Sequence, residues 1–382
     1  MRQLGPLRFE HDPESSLTRT MFVSALAIAA AFLVAGLIFW AYGVNPLRAY
    51  RVILVDTLAD PRALPEIFVP AIPLLLAGIG LLLAFRAQFY NIGAEGQLLA
   101  GTVAATWIAV FTSTPGPLML PMMFITGFLA GALWGLLPSL LKLRLNVNEV
   151  ITTLMMNYIA LYAVSWLVTG PWKGPSVRGF AYTDTFPDPA WLPYFPGTRI
   201  HWPTLLLGIA LAILVAFLLN RTRFGFEIRV QGHNPEAARY AGIDPLRTTL
   251  LVMLISGGFA GLAGVGEVAG IHHKLLDPSQ VSLGYGYVAI IAAWLARGNP
   301  LAVIVTAVFF GLIYSSGDVM QVSLQMPARV TDVFNGLILF FLIGSERLLH
   351  YRVRWMPTAT NQTVPATLPE EQAASGSERW KS

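Results

Sequence analysis

The chain has 382 residues, 55% hydrophobic and only 12% charged, where a soluble domain would carry roughly a quarter charged residues. Its apolar residues come in long runs and its mean hydropathy is +0.60, which excludes a water-facing fold and predicts a polytopic membrane protein. It contains no Cys, so disulfides, thiolate chemistry and zinc sites built on Cys are ruled out.

The formal charge of +4 sits mostly at the ends of apolar runs, which is the positive-inside bias of membrane proteins and not a nucleic-acid surface. Residues 1–20 are polar and Arg-bearing and are expected in the cytoplasm. No small-residue cleavage site follows the first apolar run, 21–42, so that run is expected to be a retained span and not a signal peptide. At roughly twenty apolar residues per crossing, about ten spans are expected. The other nine are 67–85, 89–111, 118–141, 150–168, 203–219, 248–271, 284–295, 301–314 and 330–343. Pro70 and Pro73 kink the second, which neighbouring helices can satisfy.

A Pro- and Trp-rich outer loop, 170–202, separates the fifth and sixth spans, and the largest polar inner segment, 220–247, separates the sixth and seventh. If ten crossings alternate, Arg86, Lys142, Arg144, Arg221, Arg223, Arg297 and Arg347 fall on one side with Arg2, Arg8 and Arg19. Both termini are then cytoplasmic. Arg48, Arg51, Arg62, Lys173 and Arg178 fall on the other side, so the bias is not clean. The domain expected from this pattern is an all-α membrane domain over 21–345. A cytoplasmic tail, 346–382, follows and is expected to be partly disordered beyond Trp355.

Within the third span, Gln-Phe-Tyr-Asn-Ile-Gly-Ala-Glu-Gly-Gln (88–97) puts Asn91, Glu95 and Gln97 beside Gly93 and Gly96. A carboxylate in a membrane segment is costly unless it faces a cavity or a partner, which makes it a functional candidate. Two readings stand for Glu95: it lines a substrate path, or it caps a half-helix or pairs with a base on a neighbouring span. The topology places it nearer the cytoplasmic end than the centre.

Asn157, alone in the fifth span, is either interhelical glue or a path residue. Glu267, just before His272-His273-Lys274, is either a path residue or an interfacial acid paired with Lys274. The His pair has no third ligand at metal spacing, so no metal site is expected. Gly257, Gly261 and Gly264 form a packing face, and Trp172, Trp191, Tyr194 and Trp202 suit the membrane interface or a docking surface. No catalytic cluster appears. With no Gly-x-x-x-x-Gly-Lys-Ser/Thr loop, the chain is not expected to bind ATP.

In the inner segment, Asn234 is placed to cap a helix begun by Pro235. Glu236-Ala-Ala-Arg-Tyr-Ala241 continues that helix and Gly242 stops it. Gly232, Asn234, Pro235, Ala237, Ala238, Arg239, Tyr240, Ala241, Gly242 and Ile243 resemble the coupling-helix region of the permease subunits of bacterial ATP-binding-cassette importers for sugars and nucleosides. Gln231 stands where a small apolar residue is expected. The 91–97 stretch, together with 256–264 and 284–290, is similar to the larger permease of nucleoside systems that use a lipoprotein receptor.

That resemblance implies a ten-helix, type II importer-like permease in the bacterial cytoplasmic membrane. Asn234, Pro235, Glu236, Ala237, Ala238, Arg239, Tyr240 and Gly242 would couple it to a cytoplasmic ATPase subunit that binds ATP and Mg, the permease itself holding no cofactor. A second, related permease and an extracytoplasmic substrate-binding lipoprotein would complete the assembly, and substrate would pass Asn91, Glu95, Gln97, Asn157 and Glu267. A purine nucleoside leads as substrate, with ribose-like sugars and riboflavin as alternatives. A proton- or sodium-coupled carrier using Glu95 or Glu267 is the competing mechanism, although no inverted repeat is evident.

Overall fold

A computed structural model of the protein describes residues 2–4, 7–11, 17–175, 179–327, 330–349 and 351–355. The chain forms two units, one of Leu26–Leu342 and one of Met1–Ala25 with Ile343–Ser382. Arg178 and the tail beyond Trp355 lie outside the described residues.

Helix α1 is Leu17–Ala41. It is followed by short helices α2 (Pro46–Arg51), α3 (Thr57–Ala59) and α4 (Ala63–Glu66), with a π-helical turn at Val52–Asp56. Then come α5 (Phe68–Arg86), α6 (Ala94–Phe111), α7 (Gly116–Leu145), α8 (Glu149–Thr169) and α9 (Trp202–Arg221). Helices α10 (Arg223–His233) and α11 (Pro235–Tyr240) occupy the segment expected at the inner face. After them come α12 (Pro245–Glu267), α13 (Pro278–Val281), α14 (Tyr285–Leu295), α15 (Pro300–Leu324) and α16 (Val330–Leu349). Among the described residues, eight helical segments are long and apolar enough to cross a membrane, and Tyr285–Leu295 and Asp332–Phe341 are shorter apolar helices. The chain is a multi-pass membrane protein.

Several expected boundaries move. The third span starts as a helix only at Ala94, because Gln88 takes a left-handed φ of 57° and residues 87–93 leave the helix. The ninth runs ten residues past Tyr314, to Leu324, and the tenth continues to Leu349. Residues 46–59 are helical and tuck Ala49, Val52, Ile53 and Thr57 into the protein. A run at 223–233, expected only as polar connection, is helix α10. Thr222 caps it, accepting the Gly225 N–H at 3.1 Å.

Burial ranks the spans. The Ala63–Arg86 segment is 94% buried and Pro245–His272 78%, while those carrying α7, α8 and α9 are each 28% buried. An all-apolar helix such as α5 belongs in the middle, and the three outer helices present their apolar sides to lipid. Where α7 and α12 meet, a Cβ on Gly261 would strike the Gly127 carbonyl, one on Gly257 the Gly131 carbonyl, and one on Gly101 of α6 the Gly261 backbone. Gly264 likewise abuts the Leu98 carbonyl. The small-residue stripe brings three helices to backbone contact, the arrangement that gains dispersion energy where no hydrophobic drive exists.

The other unit contains strands, which the all-α expectation did not include. Strands β1 (Arg2–Leu4), β2 (Leu7–His11) and β3 (Tyr351–Trp355) form an antiparallel sheet in the order β1-β2-β3. Leu7 is registered with Trp355 and Glu10 with Arg352.

Candidate functional site

The segment between α5 and α6 is a polar break held by side chains from three other elements. Asn91 and Gln97 bind each other, Asn91 Nδ2 donating to Gln97 Oε1 at 3.0 Å and Gln97 Nε2 to Asn91 Oδ1 at 3.2 Å. Asn91 Nδ2 also reaches Ser256 Oγ of α12 at 3.2 Å, and Asn91 Oδ1 accepts the Gly93 N–H at 2.9 Å. Asn157 of α8 accepts the Gly96 N–H at 2.8 Å and donates to the Ile92 carbonyl at 2.8 Å. Thr153 accepts the Ile92 N–H at 3.1 Å. Backbone that leaves a helix inside a membrane must find partners within the protein, and these amides supply them. Asn157 therefore sits as the interhelical glue of the break. A Cβ on Gly96 would be a tight fit, since Asn157 Oδ1 and the Met156 carbonyl would lie about 3.0 Å from it.

Glu95 is buried and turned towards α14, where its Oε2 accepts the Gly286 N–H at 2.8 Å. It thus caps the first turn of a helix that Leu283 (φ 44°) and Gly284 (φ 76°) have broken away from α13. At the far end of α14, Arg86 Nε and Nη2 donate to the Gly298 carbonyl at 3.0 and 2.7 Å. The 11 residues of α14 span roughly 16 Å, about half of a ~30 Å hydrocarbon core. Glu95, in the first turn of α6, thus holds the end of α14 that lies away from Arg86. Beside Glu95, Tyr287 is 38% exposed, with Tyr158 49% exposed next door.

At the Arg86 end, Asn234 Oδ1 accepts the Glu236 and Ala237 N–H groups at 3.0 Å each, fixing the start of α11. Gly242, with φ 75°, ends the turn that follows it. Only Ala238 of α11 is buried; Pro235, Glu236, Ala237 and Arg239 are exposed and Tyr240 is 93% exposed. Gln231, the odd residue of the motif, is buried and donates to Thr249 Oγ1 at 2.9 Å, pinning α10 to α12.

Residues 64–343 match the family described as branched-chain amino acid transport system, permease component. That is well over half of the chain. The protein belongs to this permease family. It is 35% identical to the glucose ABC transporter permease protein TsgB13 of Haloferax volcanii, over 93% of this chain and 94% of the relative. It is 31% identical to the guanosine ABC transporter permease protein NupP of Bacillus subtilis, over 85% of this chain and 93% of that one. The same organism's guanosine permease protein NupQ matches at 28% over 66% of this chain and 80% of its own.

At its other end the permease ties the 170–202 loop to residues 269–275, which follow α12. Leu192 N donates to the Ala269 carbonyl at 2.9 Å, Phe186 N to the His273 carbonyl at 2.7 Å and Thr183 N to the Leu275 carbonyl at 3.1 Å. Tyr194 Oη donates to the Gly270 carbonyl at 2.6 Å and lies 2.7 Å from His273 Nε2, while Trp191 stacks on the His273 ring at 4.0 Å. These two aromatics of the permease pack inward and do not serve only as interface anchors. Burial pushes the His273 imidazole below its usual range and the Tyr194 phenol above its own.

Glu267 is buried, with Oε2 3.8 Å from His272 Nε2. It does not pair with Lys274, which lies 4.2 Å over the Tyr182 ring. The expectation of a Glu267–Lys274 pair fails because Glu267 closes the last turn of α12 on its protein-facing side, behind the π-turn Val268–His272. Elsewhere in the permease, a cavity of about 390 Å³ is walled by Leu99, Val103, Trp107, Trp134, Val164 and Trp172. Such an apolar slot offers little to orient a hydroxylated solute.

Proposed function

We infer that the permease is one half of an importer that moves a nucleoside inward, with ATP and Mg handled by a separate ATPase subunit docked on α11. The observation that carries this reading is the shape of α11. It is a capped six-residue helix with a nearly bare Tyr240. Exposed aromatic anchors of this kind dominate protein–protein contacts. The side bearing α11, Arg86, Lys142 and Arg221 is cytoplasmic in this reading, and so are both termini, in a bacterial cytoplasmic membrane. A second, non-identical permease chain completes the path, as the occurrence of both NupP and NupQ in one organism supports. An outer lipoprotein delivers the substrate.

Substrate passes the polar break. Asn91 and Gln97 contribute by holding the break in shape, since their hydrogen bonds are already used on each other. The faces of Tyr287 and Tyr158, with Glu95 and Asn157 behind them, suit a flat base and its hydroxyls. Glu267 lies further out on the same route. A second reading, a hexose or pentose as substrate, is favoured by the likeness to TsgB13, the glucose permease protein.

Uptake of labelled guanosine by cells with and without the gene tests both, with glucose, ribose and riboflavin as competitors. Guanosine uptake that needs the gene, resists the three competitors and is lost when Glu236–Arg239 is replaced by Gly and Ser is the expected result. Competition by glucose transfers the reading to sugars. Uptake that survives the α11 replacement but collapses with the proton gradient overturns ATP coupling.

A further inference from the structure

We propose that Arg86 is a positioning residue, the strut that links the ATPase-docking helix α11 to the half-helix α14 at the polar break. The proposal rests on the ATP-driven reading above. Arg86 is gripped from two sides. Its backbone carbonyl abuts Gly232, where any Cβ would collide with that oxygen. Gly232 lies in the last turn of α10, which passes into α11 through Asn234 alone, a residue that closes one helix and opens the other.

On its other side, the guanidinium holds the Gly298 carbonyl through two hydrogen bonds. Arg297 (φ 51°) and Gly298 (φ 75°) turn the chain there, and a Cβ on Gly298 would strike the Arg86 guanidinium. A charged donor on a carbonyl just past a helix C-terminus is favoured by both the bond and the helix dipole. Among the described residues no carboxylate comes within ion-pair distance of Arg86. The charged group that acts on it is Arg229 of α10, which repels it. The guanidinium therefore has no ion-pairing task, and the Gly298 carbonyl is its use.

From there α14 is a stiff rod whose other end rests on Glu95. A displacement of α11 thus reaches the break through four contacts: Asn234, Gly232 on Arg86, Arg86 on Gly298, and Gly286 on Glu95. Each contact ends on a backbone atom, and the two long side chains, Arg86 and Glu95, are held at their tips by the hydrogen bonds they make there.

The test uses the whole complex, with both permeases, the ATPase and the receptor in vesicles. ATP hydrolysis and guanosine uptake are measured together for Arg86→Gln, Arg86→Lys, Gly232→Ala and the exposed control Arg144→Gln. The strut predicts that Arg86→Gln and Gly232→Ala leave hydrolysis near the wild-type rate while uptake per ATP falls about tenfold. Arg86→Lys, which can still donate to Gly298, recovers part of the loss, and Arg144→Gln changes neither. Uptake and hydrolysis falling in proportion, or a complex that no longer assembles, overturns the strut and makes Arg86 merely structural; so does unchanged uptake per ATP. Wild-type uptake that needs no ATP overturns the ATP-driven reading itself, which separates the two failures.

Discussion

Glu95 buries its carboxylate inside a membrane protein and uses it on one backbone N–H. Removing it leaves the Gly286 N–H buried without an acceptor, a loss of about 1–3 kcal/mol, whereas an amide at the same place can still accept. Glu95→Ala should therefore lower the thermal unfolding midpoint in detergent clearly and Glu95→Gln only slightly. Uptake then separates the two roles of the residue. If Glu95→Gln folds and transports normally, capping is its whole task; if it folds but fails to transport, Glu95 also faces the substrate. The sequence singled out Glu95 because an acid among glycines in an apolar run has few bland explanations. It could not show the partner, since Gly286 is 191 residues away and a backbone N–H leaves no mark in a sequence.

Among elements, the junction of the 170–202 loop with α9 and the end of α12 turns on His201. Its ring is buried against Gly266 and Gly270, and its Nδ1 is paired with Thr204 Oγ1. Burial pushes the imidazole down from 6.5 to about 4. The unfolded chain takes up this proton near pH 6.5 and the folded chain refuses it until about pH 4. The stabilisation is thus complete above 6.5 and is lost as pH falls through that window, by up to on the order of 3 kcal/mol. Melting followed between pH 7.5 and 4.5 should fall less steeply for His201→Asn than for the wild type. Equal slopes would assign the acid sensitivity to other groups.

Nothing in the sequence marked this junction, because a lone His beside a Trp at a span end has no periodicity to betray it. Helix α10, by contrast, left a periodic signal that the polar-connection reading passed over. Phe224, Ile228 and Gln231 fall at helical spacing, and Ile228 and Gln231 are buried. The charges between them, Arg223, Glu227 and Arg229, masked the pattern. The alternation Tyr-Arg-Val-Arg-Trp at 351–355 was an equally plain strand signal, hidden by the polar tail that follows it. The eight long spans were legible, since twenty-residue apolar runs admit few other structures in a membrane, and the two remaining expected spans are the shorter apolar helices Tyr285–Leu295 and Asp332–Phe341.

For the whole molecule the open question is which side α11 faces, and the chain is built for answering it. Arginines and lysines occur at both ends, as Arg86, Lys142, Arg144 and Arg221 at one and Arg48, Arg51, Arg62 and Lys173 at the other. Charge bias alone therefore orients the molecule only weakly. The proposed ATPase contact supplies a direction: such a subunit can dock only from the compartment that holds ATP, so the proposal requires α11 to face that compartment. Because the sequence has no Cys, a single introduced thiol reports one position without background. Val147→Cys, exposed between α7 and α8 at the α11 end, should react with a membrane-impermeant maleimide only in inside-out vesicles. Phe195→Cys, exposed in the 170–202 loop, should react only in right-side-out vesicles. Labelling of both from one side would break the alternation of spans, and the reverse pattern would turn α11 away from ATP and take the importer reading with it.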